Sequence, residues 1–307
     1  PSGIAATIVR GQPGTGKTLS LLYAARDLAA SQRVLYITYT PQLVEDALLF
    51  ARAVGIGERL VVMTLSALEA AILRDPKGAE ADSPSALARR FDGMVRSLDS
   101  SVVGAWSNKG HALWAEARAC LVGMALPFAW RRGPLTVPPC EILDLAIYRD
   151  ISGLDGEAAE RARHIADIAR RRGLLSDQTR ARAALDALMN GETGDLPVEG
   201  VSAVLLDEAQ DLTPIEIALL LELPRAVARR DRAALFIAAG DESQTVHPSG
   251  FEWGVAKDLI RERLGREPKD IVLGHAMRSP SAVLSIVKKA GSLYKTLPKN
   301  FRPSGAV

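Results

Sequence analysis

The sequence has 307 residues, of which 48% are hydrophobic and 24% charged, with a net charge of +2. That length suits one large domain or two ordinary ones, and the composition is that of a globular chain rather than a disordered or fibrous one. The near-neutral balance excludes a uniformly basic polynucleotide binder, so any nucleic-acid contact has to come from a local patch. No apolar run reaches the roughly 18 residues of a membrane span, and no secretory signal pattern is present.

Cys120 and Cys140 fit neither a metal-ligand spacing nor a disulfide framework, so a reducing, cytoplasmic setting is expected. The chain begins at Pro1 without Met and stops soon after the basic, proline-punctuated stretch Lys295 to Pro303. Both features suggest a piece of a longer protein, removal of an initiator Met being the other explanation of the start.

The first element is an apolar run, Ile4 to Val9, which reads as a strand. It leads into Gly11-Gln12-Pro13-Gly14-Thr15-Gly16-Lys17-Thr18 and then the helix-forming run Leu19 to Leu28. The octet has the spacing G-x-x-x-x-G-K-[ST] of a phosphate-binding loop, in the strand–loop–helix context that motif needs. Its glycines let backbone N–H groups turn toward an anion at a helix N-terminus. Lys17 is expected to reach the β- and γ-phosphates of a nucleotide, and the Thr18 hydroxyl to hold Mg²⁺. Arg33 to Thr40 reads as a buried strand with polar residues at its end, and Pro41 opens a helix to about Val54. Leu60 to Thr64 reads as a third strand, followed by a helix over Ser66 to Leu73. Strands alternating with helices at this spacing predict a parallel sheet covered on both faces, with ligands at the carboxyl ends of its strands.

The pattern changes over residues 76–197. Amphipathic helices are expected over Ser85 to Leu98, Ala112 to Met124, Ile142 to Tyr148, Glu157 to Arg172 and Gln178 to Met189, with Gly-Pro, Pro-Pro and Thr-Gly breaks and no strand. This stretch reads as an all-helical insertion in an α/β domain made of residues 1–75 and 198–307. Acidic neighbours offset Arg161, Arg163, Arg170, Arg171 and Arg172, so a solvated helix face is the expected reading, with a phosphate-contacting face as the alternative. Trp106, Trp114 and Trp130 are expected in the core or an interface, and His111, His164 and His275 lack a partner at metal-ligand spacing.

The α/β pattern resumes with a strand over Val201 to Leu206 that ends in Asp207-Glu208-Ala209-Gln210-Asp211. A second strand, Ala234 to Ala239, ends in Gly240-Asp241-Glu242-Ser243-Gln244. A short one, Ile271 to Leu273, precedes Arg278 and a helix from Pro280 to about Leu293. An apolar strand ending in Asp-Glu is what a nucleotide hydrolase sets beside its phosphate loop. Asp207 would share Mg²⁺ with Thr18, through water, and Glu208 would orient and deprotonate the attacking water. The bland alternative is a solvated acidic turn.

The phosphate loop, Thr38-Tyr39-Thr40, Asp-Glu-Ala-Gln-Asp, Gly-Asp-Glu-Ser-Gln-Thr and Arg278-Ser279-Pro280 occur in this order. The series resembles the first motor domain of superfamily 1 DNA helicases of the UvrD/Rep type, over residues 4–75 and 200–290. The helical insertion lies where that family places its 1B subdomain. The resemblance implies a RecA-like P-loop NTPase domain, called 1A, that binds Mg·ATP and single-stranded DNA or its junction with a duplex. Its hydrolysis of ATP would be coupled to 3′→5′ movement, in the setting of DNA repair. It further implies that Gln244 senses the γ-phosphate, that Gln210 bridges toward the Gln244 loop, and that Arg278 stabilises charge on the γ-phosphate. Here Ala276-Met277 stand where the family has Asn-Tyr, leaving a surface arginine as the alternative for Arg278. Tyr39 occupies the place of a DNA-contacting aromatic, and Thr64 lies in a region resembling a backbone-contact motif. Phe251 and Trp253 are the two candidates for a stacking aromatic, with packing into the core as the alternative for each. Nothing after Arg278 resembles the second motor domain that closes the nucleotide cleft in this family. These residues alone are therefore expected to bind nucleotide, hydrolyse it poorly and not unwind. Two rival readings are a regulatory nucleotide-binding scaffold, and an ATPase that acts on RNA or serves a nuclease partner in repair or phage defence.

Overall fold

The computed structural model describes residues 4–75, 83–192, 197–227, 234–245 and 249–274. The first half-sheet follows the expected alternation: β1 (Ala5–Gly11), α1 (Lys17–Ala29), β2 (Arg33–Thr38), α2 (Pro41–Ala53), β3 (Leu60–Thr64) and α3 (Leu65–Ile72). Local chemistry sets the joints. Thr40 caps α2 by accepting from the Leu43 N–H while Pro41 fills the first turn, and Thr64 caps α3 by accepting from the Ala67 N–H.

The next stretch contains α4 (Pro84–Ser97), α5 (Ser100–Val103), α6 (Gly110–Glu116), two short strands β4 (Trp130–Arg132) and β5 (Leu135–Val137), then α7 (Leu145–Ser152), α8 (Gly156–Arg171) and α9 (Ser176–Met189). The stretch is therefore not the all-helical insertion expected from sequence. β4 and β5 pair antiparallel around Gly133-Pro134, and Trp130 and Val137 point into the core. Nor is Ala112 to Met124 one regular helix, because a π-helical turn, Ala117–Val122, continues α6. The expected solvated arginine face is only part of what is seen. Arg161 pairs with Glu157 and ties to the Ser101 and Val102 carbonyls, Arg163 donates to the Leu143 carbonyl, and Arg170 and Arg171 pair with Asp167.

The chain then returns to the sheet through β6 (Val201–Leu206), α10 (Pro214–Val227), β7 (Leu235–Gly240), α11 (Trp253–Leu264) and β8 (Lys269–Leu273). The six long strands form one sheet in the order β3-β2-β6-β7-β1-β8, and every pairing is parallel. Strand alternation divides the core between the two faces. Val9, Val34, Tyr36, Ala203 and Leu205 point toward α1 and α2. Ile8, Leu35, Ile37, Val204 and Leu206 point the other way, into a larger cluster that continues through Leu87, Phe91, Trp114, Leu121 and Ile165. The inserted helices thus share the core of one sheet face. α10 runs through this shared core with Ile215, Leu219, Leu220, Leu221 and Leu223 fully buried. At about 1.5–3 kcal/mol per buried side chain, packing rather than intrinsic propensity holds it in place. Among the described residues no helix is long and apolar enough to cross a membrane.

Candidate nucleotide site

β7 lies between β1 and β6 in the sheet, so the carboxyl ends of these three strands face one region. The loop after β1 closes with the Thr15 N–H and Thr15 Oγ1 both donating to the Gln12 carbonyl, at 3.2 and 2.9 Å. Gly16 then enters α1 with φ +85°, a left-handed conformation that a residue with Cβ adopts only at a cost. Lys17 begins the helix and is buried. Its Nζ donates to the carbonyls of Gly11 at 2.8 Å and Gln12 at 3.2 Å, and lies 3.9 Å from Asp241 Oδ2. Thr18 is exposed at the mouth of the loop, with its hydroxyl in hydrogen-bonding reach of Asp207.

Asp207 is buried at the end of β6, where Tyr36 of β2 donates its hydroxyl to Oδ2 at 2.8 Å. Burial raises the Asp207 carboxyl above its ordinary value, and bonds from Tyr36, Thr18 and the Glu208 N–H, with Lys17 nearby, partly oppose this. Glu208 is half-buried and sits at φ +54°, an uncommon conformation for a side chain without special turn chemistry. Its carboxyl is also raised, by burial first and with further contributions from Asp207 and Asp211. A carboxylate whose pKa is raised is a stronger base than an ordinary one.

Gln210 ties these parts together. Its Nε2 donates to Glu208 Oε2 at 2.6 Å, while its Oε1 accepts from the Asp241 N–H at 3.0 Å. Ser249, also buried, donates to the Gln210 carbonyl at 2.6 Å. The absence of a side chain on Gly240 makes room for this amide, since a Cβ there would stand 2.7 Å from Gln210 Oε1. Asp241 opens the single helical turn Glu242–Gln244, and its carboxylate accepts from the Ser243 N–H and hydroxyl. Gln244 is half-buried on that turn.

Of the residues expected to touch DNA, Tyr39 follows β2, half-buried against the core, and burial raises its hydroxyl pKa. Thr64 spends its hydroxyl on the α3 cap and on Ser66. Phe251 and Trp253 meet edge to face, with ring centroids 4.8 Å apart. The Trp253 ring is buried in the core, and its backbone N–H donates to Glu242 Oε1 at 2.5 Å, so of the two rings only the half-buried Phe251 offers surface to a base. Arg278 and His275 lie outside the described residues. Sequence reading missed Tyr36, Asp241 and Ser249, whose contacts depend on strand neighbours rather than on local pattern.

The donor set fits a magnesium nucleotide. A buried ammonium rests on its own loop's carbonyls, and a hydroxyl and a carboxylate, Thr18 and Asp207, stand together beside it. Among the described residues there is no group of three or more His, Cys, Asp and Glu that could form a metal centre of protein ligands alone. No protein-family model matches the chain, and no curated protein matches it.

Proposed function

We propose that this chain is the ATP-binding 1A motor domain, RecA-like in fold, of a UvrD/Rep-like superfamily 1 helicase. It would couple Mg·ATP hydrolysis to movement on or unwinding of DNA, with residues 76–197 as its 1B-like insertion. The observation that carries this reading is one assembly of hydrogen bonds and an ion pair at three adjacent strand ends. Lys17 stands 3.9 Å from Asp241, whose N–H is held by the same Gln210 amide that holds Glu208 at 2.6 Å. A generic phosphate-binding loop explains Lys17 and Thr18 alone. It does not explain a side-chain amide that joins the acidic strand end to the polar turn of the next strand.

Bound Mg·ATP would supply the charge and the scissile phosphoryl group. Lys17 would release its loop carbonyls to meet the phosphates, and Thr18 with Asp207 would hold the cation. Tyr36 keeps Asp207 aimed toward the loop and favours its ionised form. Glu208 would orient water and take its proton while its Oε2 accepts from the Gln210 amide. Because that amide also holds the Asp241 N–H, a shift of the Gln244 turn on meeting a γ-phosphate would reach Glu208 directly. The proposed partners are single-stranded DNA at Tyr39 and Phe251, and a second motor domain carried elsewhere in the protein.

The test compares wild type with Glu208→Gln. Binding of a Mg²⁺-bound, non-hydrolysable ATP analogue should persist in both, while the weak turnover of wild type, and its stimulation by single-stranded DNA, should vanish in the variant. Equal turnover in the two proteins would remove the enzymatic reading. Stronger competition by RNA than by DNA of matched length would move the substrate to RNA.

A further inference from the structure

The π-helical turn Ala117–Val122 lies outside every sequence motif, yet it lies against the first turn of α10, just past the acidic end of β6, and against the loop after β7. π-turns are rare and concentrate at functional positions, because the extra residue re-aims the side chains of a helix. On one side, the Gly123 carbonyl at the end of the turn accepts from the Ile215 N–H at 2.9 Å, just beyond the acidic end of β6. On the other, Gly250, in the loop after β7, lies so close that an added Cβ would stand 3.3 Å from Ala119 Cβ.

Between these contacts Arg118 is almost fully buried. Its Nε donates to Asp177 Oδ2 at 2.6 Å and its Nη2 to Glu216 Oε1 at 3.2 Å. Gln178 donates to the same two carboxylates, at 3.2 and 3.1 Å. Glu216 Oε2 accepts the Thr213 N–H at 2.6 Å, which closes the cap of α10. Tyr39 lies within electrostatic reach of Arg118, Glu216, Asp177 and Asp211. One hydrogen-bonded network therefore gathers the π-turn, α9 and the start of α10, and Tyr39 at the end of β2 packs against the core cluster that holds Ala119 and Leu121 of the π-turn. A buried ion network contributes little net stability compared with apolar packing of the same volume, so its presence points toward fixing one arrangement of parts.

We infer that Arg118 is a positioning residue that couples nucleotide binding to single-stranded DNA binding. Through Glu216 and Asp177 it fixes Tyr39 and the loop after β6, while its π-turn bears on the loop after β7. A change at the Asp241–Gln244 turn is thereby carried into the surface around Tyr39. This inference rests on the nucleotide-site reading above.

The experiment measures the affinity of a fluorescent single-stranded oligodeoxynucleotide by anisotropy, with and without a Mg²⁺-bound, non-hydrolysable ATP analogue. It is run on wild type and on the triple variant R118M/D177N/E216Q, which removes the charges together and keeps the acceptor for the Thr213 N–H. Wild type should show a nucleotide-dependent change of at least about fivefold, the lower range of ordinary coupling energies, and the variant less than about twofold. Analogue affinity should stay within about threefold of wild type in the variant, since Gly11 to Thr18 is untouched. A folded variant with wild-type coupling overturns the inference. So does a wild type that binds analogue without changing its DNA affinity, an outcome that leaves the nucleotide site standing. A wild type that binds no analogue removes both. Hydrogen exchange on wild type needs no variant to fold: analogue binding should change protection over residues 117–123 and 213–216, and unchanged protection there overturns the inference independently.

Discussion

Gly240→Ala tests whether the Gln210 bridge is real. The added methyl would stand 2.7 Å from Gln210 Oε1 and 3.3 Å from Ala209 Cβ, closer to the amide oxygen than any carbon settles. The amide must move, and it loses two bonds at once: the one from the Asp241 N–H and the one to Glu208. A neutral bond of this kind contributes about 0.5–1.5 kcal/mol and one to a charged group about 1.5–3 kcal/mol, so the variant should lose roughly 2–4 kcal/mol of stability. In a Gln210→Ala background the amide is already gone. The same glycine substitution should then cost under about 1 kcal/mol, leaving a coupling of more than about 1 kcal/mol between two sites in contact. Urea unfolding followed by tryptophan fluorescence gives all four proteins of the cycle, with unchanged denaturant slopes as the check on two-state behaviour. Additive costs, or a Gly240→Ala protein as stable as wild type, would refute the bridge.

Three further outcomes follow from the same geometry. Tyr36→Phe removes a bond that favours ionised Asp207, so the carboxyl should rise further, and the pH at which Mg²⁺ begins to strengthen nucleotide binding should move upward, as read by titrating analogue affinity with Mg²⁺ across pH. Burial holds Glu69 well above the ordinary carboxyl range, which means the folded chain binds more protons than the unfolded one once pH exceeds about 4.5, and stability falls as pH rises through that window. Glu69→Gln should therefore raise the melting temperature at pH 8 and leave it nearly unchanged at pH 4; an equal effect at both would separate Glu69 from the pH dependence. Phe251→Ala should weaken single-stranded DNA binding by about 1–3 kcal/mol, the usual loss on removing one stacking ring, whereas Trp253→Ala should chiefly lower stability because its ring is buried.

Much of the sheet could be read from the sequence because its signals are local. β3 and β6 fall where apolar runs place them, and the phosphate loop, the Asp207-Glu208 end and the Asp241–Gln244 turn each occupy the strand end expected. α10 gave no such signal, since a helix buried on nearly every side is apolar all round and has no period to read. β4 and β5 are three residues each, too short to show alternation, and Gly133-Pro134 looked like a break rather than a hairpin turn. Trp253 shows another limit: an aromatic residue after a polar loop says nothing of whether its ring faces solvent or core. The contacts that join the site are longer in range still. Tyr36 reaches Asp207 only because β2 pairs with β6, and Arg118 reaches Glu216 across 98 residues of chain.

The most direct measurement is calorimetric titration of a Mg²⁺-bound, non-hydrolysable ATP analogue into wild type, Lys17→Ala and Asp207→Asn. A working phosphate loop predicts saturable one-site binding to wild type, loss of about a hundredfold or more in Lys17→Ala, and loss of the Mg²⁺ dependence in Asp207→Asn. Equal affinity in wild type and Lys17→Ala, or no binding to a folded wild type, would contradict the nucleotide site on which the proposed motor depends.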